Sequence, residues 1–77
     1  MIMACVLFRT ERGRFDKVVE RINQFKEVKN VFAVLGRYDV VADVESESYE
    51  RLGEVIIRMG KIGGIVFTET LIEVKKS

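Results

Sequence analysis

Seven consecutive apolar residues, Ile2-Met3-Ala4-Cys5-Val6-Leu7-Phe8, constrain this chain more than any other feature. The run stops at the charged, Gly-containing stretch Arg9 to Arg14. It is too short to cross a bilayer and no basic segment precedes it, so it predicts a strand rather than a membrane anchor or a signal peptide. In a strand, Ile2, Ala4, Val6 and Phe8 point one way and Met3, Cys5 and Leu7 the other. An antiparallel strand with one wet face alternates apolar with polar residues. This one does not, so both of its faces are expected to be buried.

The period then changes. Phe15, Val18, Val19, Ile22 and Phe25 recur at helical spacing, with Asp16, Lys17, Glu20 and Arg21 on the other side, which predicts an amphipathic helix ended by Lys29-Asn30. Val31 to Leu35 is a β-branched and aromatic run, in which Val31, Ala33 and Leu35 oppose Phe32 and Val34. After the turn Gly36-Arg37-Tyr38-Asp39, Val40 to Val44 reads as a third strand, hairpin-paired with the second. Ser46 or Ser48 can cap a second helix whose inward stripe is Tyr49, Leu52, Ile56 and Met59. The segment Gly60-Lys61-Ile62-Gly63-Gly64 ends that helix by supplying residues that accept positive φ, and Ile65 to Val74 forms the last strand.

The order β-α-β-β-α-β is that of a ferredoxin-like α+β fold: one domain over residues 1–77, with a four-stranded antiparallel sheet and two helices on one face. Two helices cover only one face of a sheet. The second apolar face therefore needs a partner, and for a chain of this length the simplest is another copy of itself, giving a homodimer packed sheet to sheet as a dimeric α/β barrel. Asp43, Glu45, Glu69 and Glu73 interrupt the apolar pattern, and belong either at the sheet margin or at a polar site.

Composition narrows the chemistry. There is no histidine and one cysteine, which removes the commonest general base and metal ligand and leaves no thiolate zinc site. No metal and no cofactor is expected, and Cys5 reads as a small buried hydrophobe. The formal charge of +1 gives no overall field for nucleic acid or an acidic membrane. Residues 1–38 hold eight Lys/Arg against four Asp/Glu, and residues 39–77 hold five against eight, a division that fits a solvated and self-complementary surface. A cytoplasmic location is expected.

Two segments carry a resemblance. Val34-Leu35-Gly36-Arg37-Tyr38-Asp39-Val40-Val41-Ala42-Asp43-Val44 resembles the strand, Gly-x-Tyr-Asp turn and strand of the Lrp/AsnC effector domain, also called the RAM domain. Ile62-Gly63-Gly64-Ile65-Val66-Phe67-Thr68-Glu69-Thr70 resembles that family's Ile-x-Gly-Val segment followed by Thr-x-Thr. The order and spacing of the elements also match, so the likeness spans essentially the whole chain. It implies a stand-alone oligomerisation module that binds a small-molecule effector, an amino acid or related metabolite, in prokaryotic transcriptional regulation. It further implies effector sites where dimers meet, higher homo-oligomers, and co-assembly with full-length Lrp/AsnC regulators. The helix-turn-helix half of those regulators is missing, so no direct binding of nucleic acid is expected.

The ligand-binding residues expected from this are Gly36, Arg37, Tyr38, Asp39, Thr68 and Thr70. A free amino acid presents an ammonium and a carboxylate. Asp39 can accept from the first, backbone N–H groups of residues 36–38 can donate to the second, and Thr68 and Thr70 share one side of their strand. Arg37 departs from the acidic or polar residue common in the family; it either favours a ligand with a second acid group or reaches solvent. Each of these residues also has a plain structural reading, as hairpin or strand former. The alternative function is a small cofactor-free enzyme of the dimeric α+β barrel type, for which Tyr38, Asp39 and Asp43 would be the acid/base candidates.

Overall fold

The computed structural model describes residues 1–74. The elements are β1 (Ile2–Thr10), α1 (Phe15–Ile22), β2 (Val28–Ala33), β3 (Val40–Ser46), α2 (Tyr49–Gly60) and β4 (Ile65–Ile72). The strands form one antiparallel sheet in the order β2-β3-β1-β4, so β1 and β3 are central and β2 and β4 are edges.

The alternation expected of the first strand is present. Ala4, Val6 and Phe8 are buried beneath the helices, as are Val40, Ala42 and Val44 of β3, to which β1 pairs from Ile2↔Ser46 to Phe8↔Val40. The helices contribute Val18 and Ile22 from α1 and Leu52, Val55 and Met59 from α2 to the same core. Ser48 caps α2 by accepting from the Arg51 N–H at 3.1 Å. At the end of the sheet nearest that cap, the buried Glu27 carboxylate accepts from Arg51 Nε at 2.8 Å. Burial alone would push the Glu27 carboxyl up. The Arg51 hydrogen bond, Glu27's own backbone and the charges of Arg51 and Lys26 outweigh it and hold the group below its ordinary range.

Several expected boundaries move, each for a local reason. The first helix ends at Ile22, and Phe25 continues its apolar side from a turn, where its ring lies 5.3 Å from the Arg58 guanidinium. Lys29 and Asn30 do not break a helix. They lie within β2, at a bulge between Val28 and Asn30 in its pairing with β3. The second strand stops at Ala33, which leaves Leu35 fully exposed in a connection of residues 34–39. Tyr49 is exposed, and its place in the inward stripe of α2 is taken by Val55. Lys61 ends α2 in the right-handed region, and the positive φ comes later, at Gly64.

Among the described residues nothing covers the second face of the sheet. It presents Met3, Cys5 and Leu7 from β1, Phe32 from β2, Val41 from β3, and Phe67 and Leu71 from β4, which the register places side by side. Phe32, Phe67 and Leu71 are 42%, 52% and 50% exposed. Asp43 stands in the middle of this face opposite Cys5, not at a margin. Burial, with the Asp43 charge beside it, pushes the Cys5 thiol up and keeps it protonated.

Candidate functional site

The connection between β2 and β3 is held by Asp39 more than by any other residue. Its backbone N–H donates to the Phe8 carbonyl at 2.9 Å and its carbonyl accepts from the Val34 N–H at 2.9 Å. Its carboxylate Oδ2 accepts from the Thr10 N–H at 2.8 Å. Asp39 thus fastens the turn to the end of β1, beside the register shift between Arg9 and Thr10. Gly36 has φ +147°, a region L side chains rarely enter, which accounts for a glycine there without a ligand.

One side of this turn meets the uncovered face of the sheet. The Tyr38 hydroxyl donates to Glu69 Oε1, and Arg9 Nε donates to the Arg37 carbonyl at 3.1 Å. The hydrogen bond to Glu69, with partial burial and the Glu69 charge, pushes the Tyr38 hydroxyl above its ordinary range against the pull of Arg9 and Arg37. The cluster joins two cations, one carboxylate and a phenol at a corner of the uncovered face. Beside the same turn, Phe15, Ala33, Val34, Leu35 and Asp39 line a cavity of about 290 Å³, at the lower limit for a small-molecule site.

The residues expected to bind a ligand are therefore only partly assembled. Gly36, Arg37, Tyr38 and Asp39 share the turn. Thr68 and Thr70 pair with Phe8 and Val6, so they lie on the helix side of β4, opposite to the face on which Glu69 meets Tyr38. Arg9, Glu69 and the cavity residue Phe15 were not among the expected site residues. Glu69 carried a signal: it lies between the two threonines, so strand alternation assigns it to the other face, with Leu7. Arg9 carried none, because its approach to Arg37 depends on a turn folded from residues far along the chain.

The sheet order and the element order are those of a ferredoxin-like domain, and the comparisons with known proteins are specific within that fold. Residues 3–76 match the family model described as the Lrp/AsnC ligand binding domain. The chain belongs to that family. It is 27% identical over 74 residues to the HTH-type transcriptional regulator FL11 of Pyrococcus furiosus, covering 96% of this chain and 49% of that protein. The chain thus spans about half the length of the curated relatives it matches.

Among solved structures, TTHA0845 from Thermus thermophilus superposes with a TM-score of 0.94 at 33% identity, over 100% of this chain and 98% of that one. The hypothetical protein PHS023 from Pyrococcus horikoshii gives 0.90 at 30% identity, over 99% and 93%. AsnC of E. coli, at 21% identity and a TM-score of 0.90 over 97% of this chain and 52% of that one, shares the fold. Among the described residues no helix is long and apolar enough to cross a membrane.

Proposed function

We propose that this domain is a non-catalytic effector-binding and self-associating module of transcriptional regulation, and that its effector is an amino acid or a related small metabolite. The observation that carries the reading is the turn at residues 36–39, where an anchored aspartate borders a small cavity and the adjoining Arg37 and Tyr38 meet Arg9 and Glu69. At the cavity, Asp39 can take the ammonium of a zwitterion and the N–H groups of the turn its carboxylate, while the Arg9, Arg37, Tyr38 and Glu69 cluster stands on the other side of the same turn. Asp39 Oδ2 already accepts from Thr10, so it is the other oxygen that has capacity for a ligand.

The placement of Thr68 and Thr70 bears on where the effector binds. A ligand of amino-acid size does not reach both faces of one sheet, so a site using both the Tyr38 side of the turn and these threonines takes them from two copies. Effector occupancy and assembly are then linked, each changing the other by the same factor. The first level of assembly is a homodimer across the uncovered sheet face, whose apolar residues have no partner in the single chain. Copies of longer regulators of the same family offer an equivalent face, so mixed assembly with them follows from the same chemistry.

Calorimetric titration with each proteinogenic amino acid, followed by light scattering of the same samples, tests both halves. The expected result is saturable heat for at least one of them with a change in assembly mass. Absence of heat with all of them removes the amino-acid reading. Asp39→Asn keeps an oxygen for Thr10 and removes the charge, so it should weaken binding at least ~10-fold while the fold is kept. Unchanged affinity returns Asp39 to a purely structural role. The enzyme alternative has the phenol of Tyr38 as its acid candidate; the raised ionisation of that hydroxyl makes it a poor base at neutral pH.

A further inference from the structure

The helix side of the domain carries a groove that neither the core nor the turn at residues 36–39 uses. It is lined by Arg21 from the last turn of α1, by residues 24–27 of the turn that follows, and by Arg51, Arg58, Lys61 and Ile62 from α2 and its C-terminal end. Its volume is about 640 Å³, more than twice that of the cavity beside Asp39 and within the range of small-molecule sites. Five cations line it against one carboxylate, that of Glu27.

That carboxylate is already taken. Glu27 accepts from Arg51 Nε at 2.8 Å, and Arg51 also meets Glu54 at 3.4 Å, so these three groups close on one another. Among the described residues, Arg21, Lys26, Arg58 and Lys61 make no ion pair. Helix ends account for some of these cations singly, since Arg21 and Arg58 stand in the last turns of α1 and α2, where the macrodipole favours positive charge. Lys26 belongs to neither helix, and the dipole does not account for it. Composition does not either: residues 39–77 hold more acids than bases, yet Arg58 and Lys61 come from that half. The Arg58 guanidinium lies 5.3 Å from the centre of the Phe25 ring, which gives one of the four free cations a preferred place.

We propose that this groove is a second ligand site, separate from the turn at residues 36–39, and that it takes a small molecule bearing a chain of phosphoryl groups. Each phosphoryl group brings up to about two negative charges and three strong acceptor oxygens, a higher density than carboxylates give. Arg21 and Arg58 offer planar forks that hold phosphate oxygens in pairs, and Lys26 and Lys61 add point charges. A nucleotide and inorganic polyphosphate share this chemistry; for the nucleotide, the half-buried Phe25 adds an apolar wall beside the cations. The site does not depend on the amino-acid reading.

Calorimetric titration of the whole chain at low salt, without magnesium, tests the site with ATP, inorganic tripolyphosphate and citrate. ATP and tripolyphosphate should bind saturably at one site per chain, at least ~10-fold tighter than citrate, and more weakly as salt is added. Tighter binding of ATP than of tripolyphosphate identifies the nucleotide as the ligand, and equal affinities identify the phosphoryl chain alone. Lys26→Glu and Lys61→Glu should each weaken binding at least ~10-fold. Arg12→Glu makes the same change in net charge at an exposed position outside the groove, and should weaken it less than about twofold. No saturable heat with either phosphate, citrate binding as tightly, or an equal effect of Arg12→Glu overturns the proposal. A short DNA duplex that binds through Lys26 and Lys61 where tripolyphosphate does not bind also overturns it. Circular dichroism of each variant shows that its fold is kept.

Discussion

The two faces of the sheet are built from the same kinds of residue and meet different fates. On one, Val6, Phe8, Val40 and Ala42 are wholly removed from solvent by α1 and α2. On the other, Met3, Phe32, Phe67 and Leu71 keep about two fifths to one half of their surface. The difference shows that the apolar content of a strand states how much surface must be buried, and not by what. The covered face is a folding core and the uncovered one is the surface proposed for assembly, so substitutions on the two should separate cleanly in experiment.

The largest effect is expected at Phe8. Phe8→Ala should cost ~3–5 kcal/mol in denaturant unfolding, because the residue is fully buried and β1 and β3 cannot collapse onto the void. Equal costs for Phe8→Ala and Phe67→Ala would erase the contrast between the faces. Next is Leu7→Glu, one residue along on the uncovered face. It should raise the dissociation constant of the proposed sheet-packed dimer at least ~100-fold by sedimentation, since it sets a second carboxylate opposite Glu69 in the apolar interface. An undiminished dimer would mean that another surface holds it.

Glu27 sharpens the picture at one end of the covered face. Glu27→Gln should cost about 1–2 kcal/mol at neutral pH, the loss of a charge-assisted hydrogen bond to a partly exposed arginine. The wild type should also lose stability in acid. The folded Glu27 carboxyl titrates below its ordinary value of 4.5, so its contribution is whole above that pH and disappears as the pH falls through the folded value. Stability curves of wild type and variant that stay parallel in acid would contradict this. The smallest effect is at Ser48, whose replacement by alanine removes one helix cap and should lower stability by about 0.5–1 kcal/mol.

Most of the fold was legible in the sequence because its two periods, 2 and 3.6, are written in apolar residues with few interruptions. The unbroken run at Ile2–Phe8 read as a strand apolar on both sides, and it is central; Val31–Leu35 read the same way, yet β2 is an edge, because apolar content does not state which strands flank it. The errors fell where local sequence competes with pairing. Lys29 and Asn30 look like a break, yet β3 supplies the hydrogen bonds that make them strand. Tyr49 keeps the helical spacing of the core stripe but stands just inside the cap, beyond the reach of the sheet.

The turn was legible at Gly36, whose positive φ is local; Asp39 is held instead by Phe8 and Thr10, far away in the sequence. The candidate site was not legible across the sheet. Register decides that Glu69 reaches Tyr38 while its neighbours Thr68 and Thr70 turn to the other side.

The position of β1 between β3 and β4 has a consequence for biosynthesis. The strand that is apolar on both sides is translated before either of the strands that flank it, and its second neighbour is the last element of the described chain. Within this domain β1 is made before its neighbours and its edge toward β4 is closed last, so that edge stays open until the domain is complete. The helix α1 and the hairpin of β2 and β3 follow β1 directly and can cover one of its sides and one of its edges before β4 is made.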